Sequence, residues 1–326
     1  MLSSLYEKGL KSSPDKAALI FKDKYLCYSE FDNLVNKSAN ALYSLGIRRG
    51  DRVALYLYNC LELIVLYHTC FKIGAVSVPI NDRYQKDEIL YVLGECSPRL
   101  FISSDNLIDK VSDLDKSDNS IEKVFSLNGS ESSNIESWNR FVENLRVETD
   151  YPSPKPDDAA MILFTSGSTD KPKGVTHTQQ TLYNSSKSRA ITQKLTDEDI
   201  GLVGTAACHV GGSIGMTFPL LYVGGTVVIL EHFNPESYID CLKTHRPTRS
   251  LLLPAQLLDV VEHPDAKGVD FTCLKEMECG GDTVSHDLYD HFYKVAGFDI
   301  NQLYGLTECE GCCINTPFGN KAWIYR

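Results

Sequence analysis

The chain has 326 residues, 43% hydrophobic and 23% charged, the balance of a globular protein long enough to bury an extensive core. Forty-three acidic residues against 32 basic ones leave a net charge of −11, which argues against nucleic acid or an anionic membrane as the main partner. The eleven cysteines form no repeating framework, and the start lacks a basic lead before an apolar block, so a cytoplasmic protein with reduced thiols is expected.

Two strand-like runs, 17–21 and 25–28, come first. Ser29, with Asp32 three places on, caps a helix through about residue 45, which Gly46 and Gly50 stop. A strand over 51–58 follows, then a helix from Asn59 to Lys72 ended by Gly74, and a strand over 75–80. A helix over about 86–96 and a strand over 99–103 complete the first run. This alternation predicts a mostly parallel sheet with helices on its faces. Residues 105–158, rich in Asp, Ser, Asn and Lys, read as a variable excursion with local structure rather than a separate domain.

The alternation resumes with an apolar strand at 161–164, a second strand beyond Gly174 and a helix over about 180–193. Further strands are expected at 199–203, 226–230, 250–253 and 300–303, with a strand-like run at 275–279. Helices are expected at 234–244, 255–262 and 285–295. Residues 201–230 carry no Asp, Glu, Lys or Arg, but Gly211, Gly212, Pro219, Gly224 and Gly225 break them into strand, loop, helix, turn and strand. A buried core segment is therefore expected there, not a membrane span. The expected fold class is α/β: two similar lobes, about 1–175 and about 176–326, each with a mostly parallel sheet.

Between the strands at 161–164 and beyond Gly174 runs Thr165-Ser-Gly-Ser-Thr-Asp-Lys-Pro-Lys-Gly174. The hydroxyls of Thr165, Ser166, Ser168 and Thr169 surround Gly167, whose missing Cβ lets backbone N–H groups turn toward one point. Lys171 and Lys173 add ammonium groups, and together these are what a polyphosphate requires. It is not a Walker A loop, because Pro172 stands where the second glycine belongs and Lys173 precedes glycine rather than Ser or Thr. On composition alone, a solvated surface loop is an equal alternative. Farther on, Tyr304 could stack on a purine, Thr307 could bond an α-phosphate oxygen and Glu308 could hold Mg²⁺. A plain strand end with an acidic turn is the competing account.

The order of residues at 165–174 resembles the phosphate-loop signature of the adenylate-forming (AMP-binding) superfamily, which includes acyl-CoA synthetases, peptide-synthetase adenylation domains and luciferases. Asp170 stands where many members have glycine. Tyr304-Gly-Leu-Thr-Glu308 matches the superfamily's Tyr-Gly-x-Thr-Glu motif. Gly280-Gly281-Asp282 occupies the place of a Gly-Gly-Ala turn beside the adenine, with Asp282 replacing the alanine. The segment 206–212 resembles the one in which a His or aromatic, here His209, gates the acyl pocket. Residues 26–31 and 72–79 resemble two further motifs, assigned to packing.

The resemblance covers nearly the whole chain. It implies the N-terminal core of the adenylate-forming fold, and ATP-dependent activation of a fatty or aryl carboxylic acid to an acyl-adenylate and then acyl-CoA. ATP, Mg²⁺, CoA and the acid are the implied cofactors and partners. By the same resemblance, Thr165, Ser166, Gly167, Ser168, Thr169 and Lys173 would hold the β- and γ-phosphates. Gly280, Gly281, Asp282, Tyr304 and Gly305 would surround the nucleoside, Thr307 and Glu308 would stand at the reacting phosphate, Glu308 with the metal, and His209 would face the acid. No Asp stands at 206–212 to pair an α-ammonium group, which favours an acid without one. The superfamily's ribose-binding Asp, hinge and small C-terminal domain are expected to lie outside these residues. A second reading is a non-catalytic nucleotide-binding or interaction protein derived from the same fold.

Overall fold

The computed structural model describes residues 1–111, 120–129, 135–147, 150–165 and 171–314. In chain order the elements begin with α1 (Glu7–Ser12), β1 (Ala17–Phe21), β2 (Lys24–Cys27), α2 (Tyr28–Ser44), β3 (Arg52–Tyr56) and α3 (Leu61–Ile73). Next come β4 (Val76–Pro79), α4 (Lys86–Cys96), β5 (Leu100–Ser103), β6 (Lys123–Ser126), β7 (Glu136–Ser137) and α5 (Trp138–Glu143). The middle holds β8 (Ala159–Thr165), β9 (Lys173–Thr178), α6 (Gln179–Thr192), β10 (Ile200–Val203), α7 (Phe218–Val223) and β11 (Thr226–Ile229). The rest is α8 (Pro235–His245), β12 (Arg249–Leu252), α9 (Pro254–Glu262), β13 (Glu276–Gly280), α10 (His286–Ala296), β14 (Asn301–Leu306) and β15 (Glu310–Ile314).

These elements divide into two compact units, Met1–Leu5 with Ser29–Asn184 and Tyr6–Tyr28 with Ser185–Arg326. The first unit carries a sheet in the order β7-β6-β5-β3-β4-β8-β9, parallel throughout except for the β8–β9 pair. Every residue of β4 and β5 is buried, as strands with helices on both faces require. Helix α3 is buried almost all round, and it takes His68 into the core between the edges of Phe31 and Phe71, at 5.4 and 5.5 Å. Burial pushes the His68 imidazole down to about 3, so it packs as a neutral ring. The excursion at 105–158 is tied into this sheet: β6 pairs with β5, β7 pairs with β6, and Phe125 packs edge-on against Trp138 at 5.4 Å.

The second unit carries a sheet in the order β15-β14-β13-β12-β10-β11-β1-β2, antiparallel only at its two edge pairs. Chain order alone puts 17–28 with the first lobe, yet β1 pairs in parallel with β11, Leu19 against Val227. Polar side chains explain this attachment. Tyr28 donates its hydroxyl to the Gly225 carbonyl at 2.6 Å, and the Lys16 ammonium donates to the Gly224 carbonyl at 2.8 Å. The Tyr28 ring lies over Gly9, where an added Cβ would stand 2.4 Å from Cζ. One face of this sheet is apolar: Leu202, Leu252, Met277 and Cys279 pack with Tyr238, Leu257 and Phe292. Residues 201–230 resolve into β10, turns, α7 and β11, and among the described residues no helix is long and apolar enough to cross a membrane.

Candidate functional site

In the first unit, β8 and β9 form an antiparallel hairpin whose register sets Phe164 opposite Gly174 and Thr165 opposite Lys173. The apolar run of β8 buries Met161 and Leu163, leaving its last residue, Thr165, half-buried at the strand end. The sequence supplies the end of the apolar run: five small or hydroxyl residues, Thr165 to Thr169, follow Phe164. Gly174 permits close approach of the hairpin's two strands, since a Cβ there would lie 3.0 Å from Ile162. Lys173 is exposed at the hairpin end, and the Lys171 ammonium sits 5.3 Å from the centre of the Tyr91 ring. Ser166, Gly167, Ser168 and Thr169, expected to cradle phosphate, lie outside the described residues.

In the second unit, the parallel strands β12, β13 and β14 end side by side, the edge of an α/β sheet at which ligands bind. Gly280 pairs with Leu303, and a Cβ on it would stand 2.3 Å from the Leu303 carbonyl oxygen. Gly281 turns the chain with φ +85°, and a side chain there would also meet Leu253. Asp282 follows, its carboxylate accepting the Thr283 N–H at 2.6 Å. Alongside, Tyr304 is 62% exposed and Leu306 49%, with Leu253 43% exposed at the end of β12. Apolar side chains left uncovered at strand ends are surface for a flat ligand such as a purine. Gly305 and Thr307 are half-buried and Glu308 exposed, so β14 brings Tyr304, Gly305, Thr307 and Glu308 to the same strand end as Gly280 and Gly281.

His209 is exposed on the turn after β10. Its carbonyl accepts the Ser213 hydroxyl at 2.7 Å, and the Gly212 carbonyl accepts the Thr217 hydroxyl at 2.7 Å, fixing a wide π-helical turn over Ser213–Thr217. Such turns concentrate at functional sites. Gly212 lies so close to the chain before it that a Cβ would approach the Ala206 oxygen to 2.6 Å.

Beneath these strand ends runs a buried charged layer. Met277 and Cys279 take the apolar face of β13, so period-2 alternation turns Glu276 and Glu278 to the other face. Arg189 of α6 pairs with Glu278 and Arg249 of β12 with Glu276, while Asn301 of β14 donates to Glu276 at 2.6 Å. Asp199 collects Thr248 at 2.7 Å, Lys275 at 3.0 Å and Arg249 at 3.4 Å. Burial alone would raise the Asp199 carboxyl, but hydrogen bonds from the Thr196 N–H, Thr248 and Lys275, with the charge of Arg249, hold it at about 2. Glu278 goes the other way: burial, only partly countered by Arg189, pushes it up to about 7. Sequence reading passed over Arg189 and Glu278. The signal was available in 275–279, where carboxylates alternate with apolar residues in a strand that must be buried.

A family model for the AMP-binding enzyme matches residues 6–324. The chain belongs to the AMP-binding enzyme family. A crotonobetaine/carnitine–CoA ligase of Salmonella agona (strain SL483) is 29% identical to this chain over 319 residues, covering 95% of it and 62% of the ligase. The anthranilate–CoA ligase AuaEII, solved with anthranoyl-AMP, superposes with a TM-score of 0.94 at 20% identity, covering 98% of this chain and 62% of that one. ATP-bound MatB from Rhodopseudomonas palustris superposes at 0.87 with 21% identity, over 98% of this chain and 63% of that one. The chain thus spans less than two thirds of the length of these proteins, and the two solved structures share its two-sheet α/β core.

Proposed function

We propose that this AMP-binding chain is the nucleotide- and acid-binding core of a ligase that uses ATP to activate a carboxylic acid as its adenylate, with CoA as the acyl acceptor. Family membership together with the glycine turn at Gly280–Gly281 beside the exposed Tyr304 is the observation that carries it. CoA enters because the ligase relatives are named for it. In this reading the nucleoside lies on the backbone of Gly280 and Gly281, against Tyr304 and Gly305, with Asp282 at the rim. Thr165, Ser166, Gly167, Ser168, Thr169 and Lys173 neutralise the β- and γ-phosphates, and Thr307 donates to an α-phosphate oxygen. His209 faces the acid.

Catalysis here is positioning and charge neutralisation, bringing a carboxylate onto phosphorus while pyrophosphate leaves. Glu308, an exposed carboxylate, would hold a Mg²⁺ ion, since Mg²⁺ keeps most of its waters and takes few protein ligands. Bound there, the ion would lower the charge repelling the incoming acid. ATP–pyrophosphate exchange with a panel of fatty and aryl acids tests the proposal. Exchange with any acid supports the ligase; stabilisation by nucleotide with no exchange supports a binding protein built on the same fold.

A further inference from the structure

Arg189 carries an unfilled donor in an otherwise paired layer. Its side chain is only 9% exposed, and one terminal nitrogen bonds Glu278. Its Nε–H is buried and has no acceptor among the described residues. A guanidinium N–H left unpaired away from solvent is unfavourable, and such a group calls for a ligand or water.

The position of the pair says which ligand. Glu278 is level with Leu251 on β12 and Asn301 on β14, and residues paired in register share a sheet face. Leu251 turns its methyl groups toward the segment after His209: a Cβ on Gly211 would stand 3.5 Å from one and a Cβ on Gly215 would stand 3.8 Å from the other. Gly280 lies one pleat farther along the same face as Glu278. The ion pair therefore underlies both the glycine turn assigned to the nucleotide and the segment assigned to the acid.

We propose that Arg189 is a specificity-determining residue of the acid site, donating its Nε–H to an oxygen acceptor on the acyl group, and that the acid is compact and carries such an acceptor. This rests on the acid-activation reading and narrows the fatty or aryl acid that the sequence resemblance implies. A long alkyl chain laid over this pair would leave the donor unfilled. Glu278 already balances the guanidinium charge, so a neutral acceptor, a keto, hydroxyl or amide oxygen, suits the position better than a second carboxylate.

Isothermal titration of the whole chain with AMP and with two acyl-sulfamoyl adenosines, pentanoyl and 4-oxopentanoyl, tests this. The keto analogue is expected to bind about tenfold tighter than its alkyl counterpart, the effect of one added hydrogen bond to a charged donor. Arg189→Met should erase that difference, and AMP binding by the Arg189→Met/Glu278→Leu double variant reports whether the nucleotide site is intact. Because the single substitution strands a buried carboxylate, the double variant Arg189→Met/Glu278→Leu supplies a folded control that must also lose the preference. Equal binding of the two analogues, or a keto preference that survives in the double variant, overturns the proposal. If AMP binds but neither analogue binds better than AMP, the acid lies elsewhere and Arg189 has no such role, while the nucleotide reading stands. If nothing binds, the nucleotide reading falls and takes this with it.

Discussion

The two units solve the same problem, a parallel sheet covered by helices, with opposite materials. In the first, β4, β5 and the helix α3 are apolar on nearly every side, and His68, drawn into the core by that helix, is kept neutral. In the second, one face of β13 is as apolar, but the other holds Glu276 and Glu278 against Arg249 and Arg189. An apolar layer tolerates exchange of one hydrocarbon for another. A layer of buried ion pairs tolerates no single deletion, because each loss leaves a charge without its partner. Register between β12, β13, β14 and α6 is thereby specified by matched charges, just below the strand ends proposed to carry the nucleotide and the acid.

The largest test of this contrast is stability. Arg249→Met, which strands Glu276 and weakens Asp199, should cost about 3–5 kcal/mol in urea unfolding, whereas Leu55→Met in the first unit should cost less than about 1.5 kcal/mol. Similar losses from the two would erase the distinction between the units.

A functional prediction comes next in size. Under the proposed ligase reading, Glu308→Ala should lower acid-dependent pyrophosphate exchange by about a hundredfold in the complete enzyme while AMP binding is kept. Undiminished exchange would remove Glu308 from the reacting centre.

Acid titration should then separate the units by sign. His68 titrates in the fold near 3 against an ordinary value of 6.5, so the unfolded chain takes up the proton first. Stability of the first unit is complete above pH 6.5 and declines as pH falls below it, by up to about 1.4 kcal/mol per pH unit. Hydrogen exchange of the α3 amides would follow this loss, and His68→Leu should flatten it.

The smallest effect runs in reverse. Burial holds Glu278 near 7 in the fold against 4.5 ordinarily, opposed by Arg189 and Arg249 and reinforced by Glu276, so the folded state holds the proton more tightly. The second unit should gain stability as pH falls from about 7 to 4.5, until Asp199, near 2 against 3.8, begins to lose its contribution below about pH 4. Glu276 is shifted upward by burial in the same direction, so Glu278→Gln should reduce the gain in β13 amide exchange and leave the loss below pH 4. Slopes of the same sign in the two units between pH 4.5 and 6.5 would contradict both assignments.

Most elements were readable from local pattern alone. The alternating strands and helices, the glycine stops and the two motif-bearing strand ends stand in the structure close to their expected positions, because period, caps and glycine act over a few residues. The helix at 7–12 and the strand at 310–314 were missed; neither carries a periodic apolar signal of useful length. The split of 201–230 into β10, turns, α7 and β11 followed from its glycines and proline, residues whose backbone preferences need no partner.

By itself, then, the sequence determined the fold class, the order of elements and the two short runs that mark the family, since each depends on neighbours within a turn or two. Only the tertiary structure decided that residues 17–28 join β11, that 123–126 extends the first sheet, and that Arg189 meets Glu278. Those are pairings across about twenty to two hundred residues, and what selects them is burial: a charge or a backbone edge withdrawn from water must find its complement, wherever along the chain that complement lies.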